Sequence, residues 1–407
     1  MSAGPEFCVL DAPKERCVPF TTFVVKVVSR CNLNCSYCYM YNLQDKTYRN
    51  QPPVMSLEVC AVMAERIRRH AVNYGVRRVH IILHGGEPLL LGPKRTRVWV
   101  TKVREVLYPD VIATFSMQSN GTLINDEWID ALADLEVGIG LSIDGPKHVN
   151  DRYRVYHDGR GSFDDVVAAI RRLQMHHRGR EIFGTVMAVV DVNTDPEEVF
   201  DLWMELNIPG FDLSLPHSNH LHPPPRGRYS YGDWLIRFFD LWFDRNDPRL
   251  RIRFFENILR MIFGCPISAD NIGGRPVGVI VVETDGGIEP TDAFKCCEEG
   301  ITKLNMNVRD NDFDEIFLLP MVRTLQQGRP RLCDTCQACD RVDVCGGGYM
   351  PHRFSGQRNF DNPSVYCADL YDLIGHIRGR VIESLPPDLL QSMVGKNNMV
   401  VGLEPAH

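Results

Sequence analysis

Residues 29–42 read Ser-Arg-Cys-Asn-Leu-Asn-Cys-Ser-Tyr-Cys-Tyr-Met-Tyr-Asn and set Cys31, Cys35 and Cys38 at C-x3-C-x2-C spacing. The chain carries 14 cysteines in 407 residues, and chance would supply such a triplet in roughly 0.016 of chains so composed. A structural zinc site repeats a C-x2-C pair and closes with a fourth ligand, yet no further Cys or His follows nearby. Three thiolates on a four-iron cluster leave one iron open, and an open iron holds a small chelating molecule. The spacing therefore points to an iron–sulfur centre with a free coordination position.

The flanking sequence supplies a scaffold for that centre. Six β-rich runs lie near 21–28, 78–83, 112–117, 137–143, 182–189 and 211–215, and helical patterns near 57–70, 94–107, 126–135, 163–176 and 196–206 separate them. Such alternation predicts an α/β fold with a parallel sheet, open or closed into a barrel. Ligands in these folds gather at the C-terminal ends of strands. The cysteine triplet follows the first strand, Gly85-Gly86-Glu87-Pro88 the second and Ser119-Asn120-Gly121 the third, while Ser142-Ile143-Asp144-Gly145 ends the fourth. Four chemistry-bearing motifs thus fall at one rim.

Composition bounds the function. A net charge of −7, from 45 Lys and Arg against 52 Asp and Glu, lacks the positive surplus that phosphate backbones demand, so nucleic acid is not an expected partner. Hydrophobic residues at 44% and charged residues at 24% are ordinary globular usage. No apolar run approaches membrane-spanning length, and the stretch 277–282 suits a buried strand. The first 17 residues carry acids and prolines where a signal peptide needs an apolar segment. The expectation is a cytoplasmic protein with no membrane partner, in which thiols serve metal or redox chemistry rather than disulfides. Cys333, Cys336, Cys339, Cys345 and Cys367 form a second group, Cys265, Cys296 and Cys297 lie between, and none occurs between Cys60 and Cys265. That distribution predicts two metal centres, with Cys8, Cys17 and Cys60 as ordinary thiols.

On the triplet and its context the chain resembles the radical SAM enzymes, which bind S-adenosylmethionine at the open iron. The resemblance implies a partial (β/α)6 TIM-like barrel whose 4Fe–4S cluster is held by Cys31, Cys35 and Cys38. It implies that Tyr37 lies beside the adenine and that Glu87 accepts from the methionine ammonium, with Gly85 and Gly86 allowing close backbone approach. Ser142 and Arg154, twelve residues apart, match the pair that grips the methionine carboxylate in sulfatase-maturase-like relatives. Gln118 and Asn120 resemble a QTNG segment near the cofactor.

The C-terminal half resembles an incomplete SPASM domain. Cys336, Cys339, Cys345 and Cys367 match the four ligands of its outer auxiliary 4Fe–4S cluster. Tyr349 and Thr291 stand where ligands of the inner cluster belong, so the resemblance implies two clusters in all. The alternatives are an inner site rebuilt from Cys265, Cys296, Cys297 or Cys333, and zinc at the four matched cysteines. Asp292, in Glu289-Pro290-Thr291-Asp292, matches the general base of the sulfatase-maturase branch, and a partly dry pocket is expected to raise its pKa. His217, His220 and His222, before Pro223–Pro225, read as a solvated loop over the barrel mouth.

The stretches LHGGEPLLLG, VETDGGIEPTDAFK, CGGGYMPHRF and FDNPSVYCADL look like radical SAM/SPASM maturases that install cyclophanes in ribosomal peptides. This implies hydrogen abstraction from a β-carbon by the 5′-deoxyadenosyl radical, followed by addition to a nearby aromatic ring. The auxiliary cluster would then take the electron and Asp292 the proton. Expected partners are a ribosomal precursor peptide and an electron donor such as flavodoxin or ferredoxin. Formylglycine formation, thioether formation and a non-enzymatic iron–sulfur peptide-binding module are the rival readings. The implied division is an N-terminal extension (1–20), the radical SAM core (21–225), a helical bridge (226–264), the SPASM-like domain (265–383) and a tail (384–407).

Overall fold

The computed structural model describes residues 17–386 apart from Pro209, Pro266 and Ser268. Most of the expected extension and tail, with Cys8, lies outside the described residues. Six strands, β1 (Thr22–Val28), β2 (Arg78–Gly85), β3 (Ile112–Ser119), β4 (Val137–Ser142), β5 (Phe183–Val189) and β6 (Gly210–Ser214), pair in chain order and in parallel. Between them run α1 (Leu57–Asn73), α2 (Pro93–Leu107), α3 (Asp126–Asp134), α4 (Lys147–Tyr153), α5 (Phe163–Met175), α6 (Gly179–Ile182) and α7 (Pro196–Glu205). The short α4 and α6 escape a periodicity reading because neither spans enough turns to show a 3.6-residue stripe.

Local chemistry starts these helices where they start. Ser56 accepts from the Val59 amide, Asn125 from that of Trp128 and Asp195 from that of Glu197. Each bond satisfies an amide that a helix N-terminus leaves without a partner, worth about 1 kcal/mol. Pro93 and Pro196 open α2 and α7, where the missing amide hydrogen costs nothing.

Period-2 alternation divides each strand between two environments. Phe23, Val25 and Val27 of β1, Val79, Ile81 and Leu83 of β2, and Val137, Ile139 and Leu141 of β4 enter the main hydrophobic core. The opposite face carries Lys26, His80, His84, Ser116, Gln118 and Ser142. It satisfies itself with polar pairs: His80 contacts Thr114 Oγ1 at 3.0 Å and Ser116 Oγ at 2.9 Å, and Gln118 Nε2 donates to Ser142 Oγ at 3.0 Å. The inner surface is therefore polar by construction.

The sheet continues past the six strands on both sides. After α8 (Tyr231–Arg245), β7 (Arg251–Ile252) pairs with β6 and leads into α9 (Arg253–Ile262). On the other side β8 (Val279–Val282) pairs in parallel with β1, and β9 (Gly287–Glu289) and β10 (Met306–Asn307) follow antiparallel. The order is β10-β9-β8-β1-β2-β3-β4-β5-β6-β7. The helix Cys367–Ser384 packs back on α8, with His376 Nε2 2.8 Å from Asp240 and Arg380 paired to Asp240 and Asp244. One sheet therefore runs on across the expected divisions at residues 225 and 264.

Gly85 and Gly86 end β2 against the cysteine loop. A Cβ at Gly85 would strike the Val28 carbonyl, and one at Gly86 the Arg30 carbonyl and the Tyr41 hydroxyl. The close approach that these glycines permit is thus to the chain's own backbone. Gly86→Ala should destabilise the protein by about 1–3 kcal/mol, the usual overpacking cost. A thermal melt of the variant beside the wild type checks this, and an unchanged midpoint would show that the loop yields freely.

Candidate active site

The cysteine loop hangs from β1 and is pinned by the neighbouring strand ends. The Gly86 amide donates to Val28 O and the Glu87 amide to Arg30 O, both at 2.9 Å. Asn120 Nδ2 donates to Asn32 Oδ1 at 2.9 Å and contacts Cys31 Sγ at 3.8 Å, while Leu33 N lies 3.4 Å from the same sulfur. Burial, with the Glu87 charge and the other two thiols, pushes Cys31 up to about 12; burial and Cys35 push Cys38 up to about 11. Burial raises Cys35 as well, and binding iron as thiolates releases protons. The three thiols' shared loop and mutual influence fit a site cluster.

Glu87 is fully buried. Its Oε1 accepts from Ser119 Oγ at 2.8 Å and Leu89 N at 2.9 Å, and its Oε2 from Asn120 N at 2.8 Å. A carboxylate offers about four acceptor positions, so one remains for an external donor. Burial raises its pKa, opposed by those hydrogen bonds and by Arg154. Asn120 serves both Glu87 and the cysteine loop, a double role that its resemblance to the QTNG segment did not disclose.

Arg154 follows α4 and is buried rather than a surface charge. Its Nη1 donates to Tyr37 Oη at 2.9 Å, and that hydroxyl donates to Asp144 Oδ2 at 2.5 Å. Arg154 Nε is buried without a partner, which suits an anionic group arriving at this rim. Ser142, at the end of β4, accepts from Gln118 Nε2. Asp144, not singled out from sequence, also accepts from Val189 N at 3.1 Å. Its place at the end of β4, two residues after Ser142, was the available signal.

Asp292 begins a short 3-10 helix, Asp292–Cys296. It forms an ion pair with fully buried Lys26, and Tyr39 Oη donates to its Oδ2 at 3.2 Å. The expected rise in its pKa is overturned. Burial would raise it, but Lys26 first, then His84 and Lys295, hold the carboxyl well below its usual range. Asp292 is therefore held in its carboxylate form beside Lys26. Lys26 was missed; a lone Lys in the apolar run TFVVKVV just before the cysteines was its signal. Behind Asp292, Lys295 Nζ contacts Glu289 at 2.8 Å and Glu283 at 3.1 Å, and Lys303 reaches Glu289 at 2.6 Å. Glu283 and Glu289 of VETDGGIEPTDAFK thus pair with its own Lys295 and anchor the segment that presents Asp292.

His220 and His222 are exposed, as a solvated loop requires. His217 instead turns inward, its ring centroid 4.7 Å from that of Tyr39 and its Nδ1 buried without a partner.

In the C-terminal region five thiols gather rather than the matched four. Burial, then a hydrogen bond to Cys333 and the thiols of Cys345 and Cys367, raise Cys336 to about 12; burial, Cys367 and Cys339 raise Cys345 to about 11. Cys333 packs with Leu332 and Cys336. Cys296 and Cys297, with sulfurs 3.9 Å apart, belong to another cluster with Phe294, Leu325 and Phe354, and Cys265 is exposed. The thiols considered for a rebuilt inner site are therefore dispersed. Among the described residues no group of three or more His, Cys, Asp or Glu is gathered tightly enough for a single metal ion, whereas a cubane spreads its ligands around a larger core. Cys17 and Cys60 lie apart from both groups, Cys60 beside Trp99 O at 3.8 Å.

Residues 25–202 match the family model of the radical SAM superfamily, and the chain belongs to that superfamily, whose members use a 4Fe–4S cluster and S-adenosylmethionine. It is 31% identical over 349 residues to a serine-type anaerobic sulfatase-maturating enzyme of Klebsiella pneumoniae, covering 82% of each chain. A cysteine-type anaerobic sulfatase-maturating enzyme of Clostridium novyi (strain NT) is 25% identical over 350 residues, covering 83% of this chain and 90% of its own. The structure of native anSMEcpe with bound AdoMet superposes with a TM-score of 0.75 at 25% identity, over 89% of this chain and 98% of that one. No helix among the described residues is long and apolar enough to cross a membrane.

Two measurements follow from this geometry. Reconstituted protein should hold about eight irons per chain, four for each of two cubanes; about twelve would establish a third cluster. Glu87→Gln should weaken S-adenosylmethionine binding by about 1.5–3 kcal/mol, since an amide cannot replace a charged acceptor. Calorimetric titration reads this directly, and unchanged affinity would leave Glu87 as a strut between strands.

Proposed function

We propose that this enzyme oxidises a side chain of a ribosomally made peptide at its β-carbon and joins that carbon to a nearby aromatic ring. One observation carries the reading: Tyr39, immediately after Cys38, hydrogen-bonds Asp292, so a carboxylate from the C-terminal segment stands within reach of the cysteine loop. When bound, the cluster at Cys31, Cys35 and Cys38 supplies the electron that opens S-adenosylmethionine, and a second at Cys336, Cys339, Cys345 and Cys367 a store for the electron that the product gives up.

The chain's own residues prepare the remaining work. Glu87 offers its last acceptor position to the methionine ammonium. Arg154, with Tyr37 holding it in place, offers the unpartnered Nε to the carboxylate, and Ser142 lies at the neighbouring strand end. Gly85, Gly86 and Asn120 keep the cysteine loop against the rim. Asp292, ionised and 14% exposed at its side chain, takes the proton released when the ring regains aromaticity. The C-terminal segment that carries Asp292 covers this face and limits water around the radical. A low-potential donor of the flavodoxin or ferredoxin class delivers the starting electron.

Thr291 and Tyr349, in place of inner-cluster cysteines, favour crosslinking over the sulfatase-maturase reaction. Formylglycine formation is the second reading, favoured by the sulfatase-maturating relatives along most of the chain. Peptides carrying either a crosslinkable aromatic pair or a sulfatase-type Cys or Ser distinguish the two. A fragmentation-resistant ring linkage supports the first, and a hydrazide-reactive aldehyde the second.

Asp292→Asn keeps the shape and one acceptor but cannot hold the proton. With a β-deuterated peptide, crosslinked product per deuterium-labelled 5′-deoxyadenosine should fall about 10²–10⁴-fold, the usual effect of a lost base. An unchanged ratio would remove Asp292 from the proton step, and loss of the label itself would make it a residue that positions the peptide.

A further inference from the structure

Thr291 and Tyr349 stand where cysteines of an inner cluster belong, and both line a recess with an empty volume of about 520 Å³. Among the described residues no cysteine lines it, so no thiolate is placed to hold iron there. The charged residues in its wall are Arg275, Arg331 and Arg353 against a single acid, Asp270. The recess adjoins the reaction site in two ways. Thr291 precedes Asp292 in the chain, and the Tyr349 ring centroid lies 6.2 Å from that of His217, which packs on Tyr39.

The three arginines stand apart in this acidic chain. Arg331 donates to neutral groups, Gln327 Oε1 and Thr324 Oγ1. Arg353 is buried and donates to the carbonyls of Phe360, Asn362 and Arg331. Arg275 is exposed and forms no ion pair among the described residues. Arg68 and Arg178, by contrast, are each held by carboxylates. Burial raises the pKa of Asp270, which weakens the one charge opposed to an incoming anion. Thr291 is only 5% exposed, and its hydroxyl has no hydrogen-bond partner. Buried hydroxyls are nearly always bonded, so this one has a hydrogen to give.

Resting on the reading that the substrate is a peptide, we propose that this recess binds a carboxylate of that peptide while neighbouring residues react beside Asp292. Arg275 and Arg331 meet the carboxylate at the exposed side, their planar forks suiting its two oxygens. Thr291 donates to it from the buried side, and Arg353 adds charge without leaving its carbonyl partners. An acidic side chain and a free C-terminus share this chemistry. Either one, held here, fixes the distance along the peptide from the acid to the reacting residue, so the recess selects which position is modified.

Three probes titrated into reconstituted holoenzyme with S-adenosylmethionine test the recess: N-acetyl-alanyl-phenylalanine, its C-terminal amide, and N-acetyl-aspartyl-phenylalaninamide. At least one acid should bind about tenfold or more tighter than the neutral amide, as hydrogen bonds to a charged group require. A preference for the free terminus assigns the C-terminal carboxylate, and one for the aspartyl peptide assigns a side chain. Equal affinities for all three overturn the proposal. The double variant Arg275→Gln, Arg331→Gln should lose the preference while iron content and S-adenosylmethionine affinity stay at wild-type values. A preference that survives both substitutions overturns its placement in this recess. Thr291→Val keeps the volume and removes the hydroxyl, so it should weaken the favoured acid several-fold and leave the amide unchanged; an unchanged acid would overturn the part given to Thr291. Binding is read without turnover. Failure to crosslink therefore overturns the reaction reading and leaves the recess standing, whereas crosslinking without any preference for an acid does the reverse.

Discussion

The ion pair between Lys26 and Asp292 is the constraint on which the rest of the site depends. Lys26 is fully buried on the inner face of β1, and an unpaired ammonium there would carry a desolvation cost of several kcal/mol. Asp292 relieves that cost from a segment 266 residues further along the chain. The pair therefore requires the C-terminal region to close over the barrel in one register. The parallel pairing of β8 with β1 and the buried Lys295, Glu283 and Glu289 supply that register. A charge needing a partner is a stricter guide than apolar contact, because misplacement by one residue leaves it unsatisfied.

Around the pair, each candidate side chain is held by another before any ligand arrives. Glu87 accepts from three internal donors, Arg154 is steadied by Tyr37 and Asp144, and Asn120 links the cysteine loop to Glu87. Such preorganisation leaves little to be ordered when cofactor binds. The C-terminal cysteines differ in offering one thiol more than a cubane needs. Cys333 stands beside Cys336, and buried Arg353 senses Cys336, Cys333 and Cys345, so the surroundings of these thiols are asymmetric.

Much of this was legible in the residues. The six strands and five long helices fell within a few positions of their readings because each carries enough turns or alternations to declare its period, as TFVVKVV and LEVCAVMAERIRRHAVN do. The motifs at strand ends were legible too, since strand direction in a parallel sheet brings them to one rim. Asp292 was found by its motif, but its electrostatics were read with the wrong sign. Burial alone raises a carboxyl, and the opposing charge came from a lysine remote in sequence. His217 was read as part of a solvated loop for a similar reason: only its packing on Tyr39 turns it inward.

By itself the sequence determined the parallel α/β sheet, the cysteine triplet, and the rim on which the strand-end motifs stand. Those features depend on periodicity and spacing, which act over a few residues. Tertiary structure alone decided that Lys26 meets Asp292 and His84, that Arg154 bonds Tyr37, and that Cys333 rather than Cys296 joins the C-terminal thiols. Each of these is a contact between distant segments, fixed by which buried polar group most needs a partner once the chain has closed, and no local pattern encodes that choice.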